Sequence, residues 1–382
     1  MFKRVLIANR GEIAVRIIRA CRELDIESIA VYSTADKDSM HVKLADAAMC
    51  IGPPPVSKSY LNIENIIGAA EVTRCDAIHP GYGFLAENPK FEQICRNNDI
   101  TFIGPPSEVI ALSGNKSMAI EIMKKNRVPV IPGSDGNIKN VKHALTIGKK
   151  LGYPVMIKAS FGGGGKGMRI CHDPREMESL FNLAKSESVS SFGMSDVYIE
   201  KYLEKPRHIE FQIISDNFGN TACVGERECS IQRRHQKLLE EAPSAGISEK
   251  TRRTIQEYAV RAANAIKYKN LGTIEFLVDE KENFYFIEIN SRIQVEHPVT
   301  EMVTGIDLIK EQIKMAAGQK NLYHGKNIEI NGCAVEMRIN AEDSENNFAP
   351  FPGKITDCFF PGGPGVRVDT FIHSNYSIPP FY

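Results

Sequence analysis

The chain has 382 residues, too long for one ordinary core and suited to two or three domains. Hydrophobic residues make up 42% and charged residues 25%, globular values that allow a sizeable core. The 47 basic residues balance 47 acidic ones, which argues against a general nucleic-acid binder but leaves room for a local basic cleft.

From the N-terminus, Val5-Leu6-Ile7-Ala8 is an apolar strand-like run with no signal or transit segment ahead of it, so a cytoplasmic location is expected. No stretch of about 18 apolar residues occurs, and no membrane span is expected. Further short runs follow at 29–32, 45–51, 77–79 and 101–103. Between the first two, Ile13, Ile17, Ala20, Cys21 and Leu24 share one helical face, with Arg16, Arg19 and Glu23 off it. Alternating strand and helix over residues 1 to 113 predicts a doubly wound parallel-sheet domain with chemistry at the carboxyl ends of its strands. Two loops sit there, Asn9-Arg10-Gly11-Glu12 and His79-Pro80-Gly81-Tyr82-Gly83-Phe84. Neither is a GxGxxG fingerprint, so a dinucleotide site is disfavoured, and the second reads equally as a Pro/Gly turn.

Lys116 opens a helical stretch through Lys125, and Pro129, Pro132 and Gly133 then mark a break with a hinge near it. A smaller unit, 131–203, should contain a helix around 141–151, strands at 155–158 and 197–200, and the loop Ser160-Phe161-Gly162-Gly163-Gly164-Gly165-Lys166-Gly167. Consecutive glycines let backbone N–H groups turn toward a phosphate without side-chain clash. No Ser or Thr follows Lys166, so this is not a Walker loop. It reads as a mobile flap over phosphates, with Lys158 meeting them as a point charge. A flexible hairpin tip is the plain alternative.

Residues 204–318 read as a mainly antiparallel sheet plus helices. His208, Glu210 and Gln212 share one strand face, and Gln232-Arg233-Arg234-His235-Gln236-Lys237 is either a solvated basic run or a cationic wall for phosphates. Segments 273–279 and 284–290 alternate around a four-residue loop, 280–283, and predict a hairpin. If Asp279 pairs with Phe284, Glu275 faces Glu288 across the ladder. Two carboxylates opposed there repel, and a divalent cation reverses the sign. Oxygen ligands near phosphates suit Mg²⁺ rather than Zn²⁺. Glu288, Asn290, Arg292, Gln294 and Glu296 then take every second position, so an extended segment would project all five from one face. An Arg between Asn and Gln suits an anionic substrate beside a metal, and Glu296 could be a general base. A solvent-exposed strand could show the same pattern.

A new strand is expected at 334–340, where Arg338 shares a face with Glu336 and Asn340 and reads as an ordinary sheet arginine. Nine scattered cysteines without a CxxC pair read as reduced thiols, and Cys229 beside Arg227 and Glu228 has no metal-ligand spacing. The chain stops without a closing helix, so a truncated C-terminal unit is expected.

The segments 7–14, 79–85, the glycine loop, 232–237 and Glu288-Ile289-Asn290-Ser291-Arg292-Ile293-Gln294-Val295-Glu296-His297-Pro298 through Glu301, together and in order, resemble biotin carboxylases, and the resemblance spans the whole chain. It implies three units: a Rossmann-like N-terminal domain, 1–113; an ATP-grasp domain, 114–318, with a mobile lid at 131–203; and the start of a mainly antiparallel C-terminal domain, 330–382. It further implies ATP contacts at Lys116, Lys158, Gly164, Gly165, Glu200, Lys201, Tyr202, Leu203, His208, Gln232 and His235, with Glu275, Glu288 and Asn290 holding Mg²⁺ or Mn²⁺. Lys237, Arg292, Gln294 and Val295 resemble the bicarbonate site, Glu296 the base that deprotonates bicarbonate, Arg338 the residue that stabilises the biotin enolate, and Tyr82 a biotin contact. Arg19, Glu23 and Arg367 resemble a homodimer contact set.

The activity implied is ATP-dependent carboxylation of biotin on biotin carboxyl carrier protein through carboxyphosphate. That is the first half-reaction of acetyl-CoA carboxylase in fatty acid synthesis, with carboxyltransferase subunits as further partners. Three departures stand out: Phe161 for a usual glycine, Lys166 for a common arginine, and Pro364 where an aromatic is frequent at the dimer face. A fragment of a larger pyruvate or acyl-CoA carboxylase, another ATP-grasp enzyme such as a carbamoyl-phosphate synthetase or a purine-pathway carboxylase, and a non-catalytic nucleotide-binding protein are the alternatives.

Overall fold

A computed structural model describes residues 1–159, 168–192, 196–234 and 236–382. The first region forms five parallel strands, β1 (Arg4–Ile7), β2 (Glu27–Ser33), β3 (Ala47–Gly52), β4 (Ala77–His79) and β5 (Thr101–Phe102), in the order β3-β2-β1-β4-β5. Alternate side chains of β1 feed two different cores. Val5 and Ile7 pack with Ile13, Ile17 and Cys21 of the helix Gly11–Glu23, while Leu6 and Ala8 pack with Ile29, Val31, Ile66 and Phe91 on the other side. Apolar side chains on both strand faces thus demand cover on both, which is the doubly wound arrangement expected. Arg16 departs from its expected place off the apolar face. It is buried, because Glu301 at 3.0 Å and Asp307 at 2.7 Å neutralise it there. Asn9 joins the two loops at the strand ends by donating to the carbonyls of Pro80 at 2.8 Å and Tyr82 at 2.7 Å.

A small antiparallel sheet follows, made of β6 (Val155–Ala159), β7 (Met168–Cys171) and β8 (Val197–Lys201) in the order β7-β6-β8. Helices Val141–Leu151 and Met177–Phe192 cover it with a core of its own, including Ala144, Val155, Ile157, Phe181 and Ile199. The glycine loop 160–167, with Gly164 and Gly165, and His235 lie outside the described residues.

The third sheet places the site. β9 (Arg207–Ser215), β10 (Thr221–Arg233), β11 (Gln236–Ala242), β12 (Asn270–Val278), β13 (Phe284–Asn290) and β14 (Ala334–Met337) pair antiparallel in the order β13-β12-β9-β10-β11-β14. Period two divides its faces. Ile209, Phe211 and Ile213 of β9 and Ile274, Phe276 and Val278 of β12 meet Ile255, Ala259, Ala262 and Ala263 of the helix Glu249–Ala265. The opposite face carries His208, Glu210 and Gln212 beside Thr273 and Glu275, and of these all but His208 are buried. The strand expected at 334–340 is shorter, and it joins this sheet as the edge beside β11. After it only two-residue ladders form, Glu342–Asp343 with Ala349–Pro350 and Gly353–Lys354 with Ser377–Ile378. Among the described residues no helix is long and apolar enough to cross a membrane. All nine cysteines are free.

Candidate active site

Glu275 and Glu288 are direct cross-strand partners in the β12–β13 hairpin, as the alternation predicts. The expected route to that register is wrong, however. Val278, not Asp279, pairs with Phe284, and a bulge between Glu275 and Phe276 restores the pairing of the two glutamates. Asp279 leaves the ladder because its Oδ1 accepts from the N–H groups of Lys281 and Asn283, each at 2.9 Å, which makes it part of the turn.

Glu275 is the most heavily bonded carboxylate of the polar face. Oε1 accepts from Lys237 Nζ at 2.9 Å, Asn290 Nδ2 at 2.8 Å and Gln294 Nε2 at 2.9 Å, and Oε2 lies 2.7 Å from His208 Nε2. Burial raises the Glu275 carboxyl, but Lys237 and His208 outweigh it and hold the group well below the usual carboxylate range. Glu288 meets Lys116 Nζ at 2.7 Å, and Gln232 Nε2 sits 2.9 Å from the other nitrogen of His208. Asn115 caps the helix Lys116–Lys125 by accepting from the Met118 N–H at 3.0 Å, which fixes the root of Lys116. Both glutamates therefore present oxygen donors on one side of one hairpin, with Asn290 beside them. That donor set fits a hard divalent cation.

Lys237 binds three carboxylates: Glu210, Glu275, and Glu296 at 2.8 Å. Burial pulls the ammonium down, and the three glutamates overcome it and raise it well above its ordinary value. Glu296 also accepts from Arg338 Nη2 at 2.8 Å. Burial opposes its ionisation, yet Lys237, Arg338 and Arg227 bring it down to about 2. Arg338 extends the same lattice to Glu240, whose Oε1 lies 2.7 Å from Nε. Among the described residues two triads come within metal-ligand reach, His208–Glu210–Glu275 and Glu210–Cys229–Glu296, but Lys237 Nζ already bridges Glu210 to Glu275 and Glu296.

The segment after Asn290 does not stay extended. β13 ends there, and Val295 and Glu296 form a turn into the helix His297–Thr304, whose second residue is Pro298. Proline favours the first helical turn, which suits Pro298 to the start of this helix. The polar side chains still converge. Arg292 reaches Asn290 Oδ1 at 3.4 Å and Glu87 at 3.0 Å, Gln294 binds Glu275, and Glu296 binds Lys237. Val295 is half-buried in the turn.

Other expected contacts are spread around this centre. Lys158 pairs with Glu200, Lys201 Nζ donates to the Gly152 carbonyl at 2.9 Å, and Tyr202 and Leu203 are half-buried in the segment after β8. Tyr82 packs partly against the core that holds Ile13 and Ile293. Arg19, Glu23 and Arg367 line one surface concavity with Glu301 and Asp369.

Three residues were missed. Arg227 is 0% exposed and donates to Glu210 at 2.6 Å, Gln212 at 2.8 Å, Thr300 at 2.9 Å, Thr273 at 3.1 Å and Gln294 at 2.8 Å. Its signal was available, since pairing β9 with β10 puts Arg227 directly across from Glu210. Glu87 and Glu240 bind their arginines across 205 and 98 residues, separations for which no local pattern exists.

Known proteins match this architecture throughout. Residues 1–110 match the biotin carboxylase N-terminal domain, 115–323 the ATP binding domain of the carbamoyl-phosphate synthase L chain, and 336–382 the biotin carboxylase C-terminal domain. The biotin carboxylase of Nostoc sp. is 55% identical over 381 residues, covering 100% of this chain and 85% of that protein. The chain belongs to the biotin carboxylase family. Biotin carboxylase 1 of Bacillus subtilis is 54% identical over 383 residues, with the same shares covered. The crystal structure of a Campylobacter jejuni biotin carboxylase–βγ-ATP complex superposes with a TM-score of 0.96 at 50% identity, covering 100% of this chain and 85% of that one. The biotin carboxylase domain dimer of Hydrogenobacter thermophilus 2-oxoglutarate carboxylase, in complex with MgADP, ADP and bicarbonate, gives 0.95 at 50% identity and covers 100% and 84%. The family's ATP-grasp unit makes this chain an ATP-dependent ligase.

Proposed function

We propose that this chain uses ATP to activate bicarbonate and carboxylates biotin on a carrier protein, the first half-reaction of acetyl-CoA carboxylase. One observation carries the reading. The polar face of the third sheet and the turn after β13 bring the opposed pair Glu275 and Glu288 together with Lys237, Arg292, Gln294, Glu296 and Arg338.

Glu275, Glu288 and Asn290 would hold Mg²⁺ or Mn²⁺. Such an ion would offset the charge that develops in phosphoryl transfer. Lys116 and Lys158 supply fixed positive charge to the phosphates, and Gly164 and Gly165 are further nucleotide contacts. Glu200, Lys201, Tyr202, Leu203, His208, Gln232 and His235 complete the nucleotide contacts. Lys237, Arg292, Gln294 and Val295 bind bicarbonate, whose oxygen attacks the γ-phosphate to give carboxyphosphate and ADP.

Glu296 takes the bicarbonate proton. At about 2 it is a weak base while Lys237 and Arg338 grip it, so its basicity depends on anions drawing those cations away. Carboxyphosphate then yields CO₂ and phosphate. That phosphate removes the N1 proton of biotin, Arg338 steadies the oxyanion that results, and N1 attacks CO₂ to give carboxybiotin, with biotin packed by Tyr82.

The three domains take the bounds 1–113, 114–318 and 330–382. Closure of the 131–203 unit would keep water from the labile intermediate. The partners are biotin carboxyl carrier protein, carboxyltransferase subunits and a second copy of the chain, which meets Arg19, Glu23 and Arg367. No nucleic acid or membrane is involved, and the location is cytoplasmic.

ADP release with and without biotin tests the reading. Bicarbonate-dependent release that biotin accelerates is expected, and release indifferent to both compounds rejects it. Arg338→Gln should lower biotin carboxylation about 10²-fold or more, the effect of losing one preorganised donor to a developing oxyanion. Bicarbonate-dependent ATP cleavage should fall far less, and equal loss of both rates would remove Arg338 from the biotin step.

A further inference from the structure

Behind Arg338 lies a second pair of opposed carboxylates that the reaction above does not use. Glu240 of β11 and Glu336 of β14 are direct cross-strand partners. Glu240 is 0% exposed, and its Oε1 takes both Nε of Arg338 at 2.7 Å and Nη2 at 2.6 Å. Its Oε2 has no hydrogen-bond partner, and neither has the buried Oε2 of Glu336. Carboxylates opposed across a ladder repel when both are charged. A buried acceptor without a donor is costly, and an unpaired buried charge tends to neutralise instead.

The surrounding charges do not relieve this. The cation between the two strands is Arg338, and it is shared with Glu296 at 2.8 Å. Glu210 acts on Glu240 from β9, and Asp369 of the C-terminal segment acts on Glu336. Glu12, at the start of the first helix, adds a further carboxyl near Arg338 and Asp369. The helix His297–Thr304 packs nearby, but its Glu301 is held by Arg16 and Arg367, and Lys237 is held by Glu210, Glu275 and Glu296. Acid groups outnumber bases around the pair.

We propose that Glu240 and Glu336 share one proton at neutral pH, with the Glu336 O–H donating to Glu240 Oε2, so that Glu336 is a positioning residue for Arg338. This rests on the reading of Arg338 as the group that meets biotin, and deepens it. The shared proton gives both orphaned oxygens a partner. It also leaves Glu240 Oε1 as a single, directed acceptor for the guanidinium. Burial first, then Glu240 and Glu296, push the Glu336 carboxyl up to about 8. Loss of that proton places a second full negative charge behind Arg338 and draws the guanidinium back from Glu296.

Two measurements on wild type, Glu336→Gln and Glu336→Ala test this. In the first, biotin-dependent turnover is followed across pH and divided by each protein's own biotin-independent ATP cleavage rate. The wild-type ratio should fall above pH 8, approaching about tenfold per unit for a single proton. Glu336→Gln, which remains a donor at every pH, should hold a level ratio. Glu336→Ala should raise KM for biotin at every pH. An alkaline fall in Glu336→Gln matching that of wild type overturns the proposal.

The second measurement needs no activity. The folded value is raised above the ordinary 4.5, so the stability this proton brings is complete below 4.5 and lost as pH rises through about 8. The melting temperature of Glu336→Gln should therefore gain on wild type across that interval and then level off. A difference that does not change with pH overturns the shared proton. If wild type lacks biotin-dependent turnover, the functional reading fails, and the melting series still decides the proton.

Discussion

Arg227→Met is expected to destabilise the fold by about 3–5 kcal/mol, the cost of removing one partner from a buried ion pair. The guanidinium joins β9, β12, Gln294 and Thr300 of the following helix at one point. Methionine fills most of the volume, so the loss is electrostatic rather than a cavity. Glu210, also 0% exposed, would keep Lys237 alone and remain partly uncompensated. Burial already raises the Glu210 carboxyl, and removing one cation moves it further the same way. The denaturant midpoint of Arg227→Met against wild type reads the effect. Arg227→Lys, which keeps the charge without the planar fork, should fall between them. An unmoved midpoint in Arg227→Met would mean that Lys237 alone carries Glu210.

The gathering of charge on one sheet face was legible because a strand has period two. His208, Glu210 and Gln212, and Glu275 with Glu288, could be assigned to faces by counting. The parallel N-terminal sheet was legible for the opposite reason, since its strands are apolar on both sides. Local chemistry defeated the counting in two places. Asp279 bonds to its own turn and shifts the hairpin by one residue, and the bulge that corrects the shift has no sequence signature. The alternation of 290–296 imitates a strand, yet Pro298 sets a helix start and turns the backbone. Its side chains meet anyway, because the turn and the strand end on the same side of the sheet. Arg338 read as an ordinary sheet arginine by pattern alone. Its role depends on β14 adding to the edge of β11, a pairing between segments almost a hundred residues apart.

These contacts also explain how the site can rest while loaded with charge. Glu210, Glu275 and Glu296 are satisfied by Lys237, Arg227 and Arg338, so the lattice is neutralised internally. Bound anions compete for the same cations. On the proposed assignment of Lys237 to bicarbonate and Glu296 to the base, anion binding would loosen Glu296 as it assembles the reactants and so couple occupancy to the appearance of a usable base.

Glu288→Lys is expected to lower ATP cleavage by about 10²–10³-fold, the range for losing a preorganised electrostatic contact in a water-poor site. The new ammonium would lie opposite Glu275 on the ladder and form an ion pair in the space a divalent cation needs. It would also face Lys116, which loses its ion pair with Glu288, so the proposed nucleotide end of the site is disturbed twice. Position 288 is half-buried, with 30% of its side chain exposed, so the fold should survive the change. Glu288→Gln separates charge from shape. It keeps an oxygen ligand but loses the anion, and should raise the Mg²⁺ concentration for half-maximal ADP release more than it lowers the plateau. Titrating ADP release with Mg²⁺ for both variants measures this directly. Wild-type turnover by Glu288→Lys at saturating Mg²⁺ would remove the paired glutamates from metal binding, and with them the premise that this sheet face is a phosphoryl-transfer site.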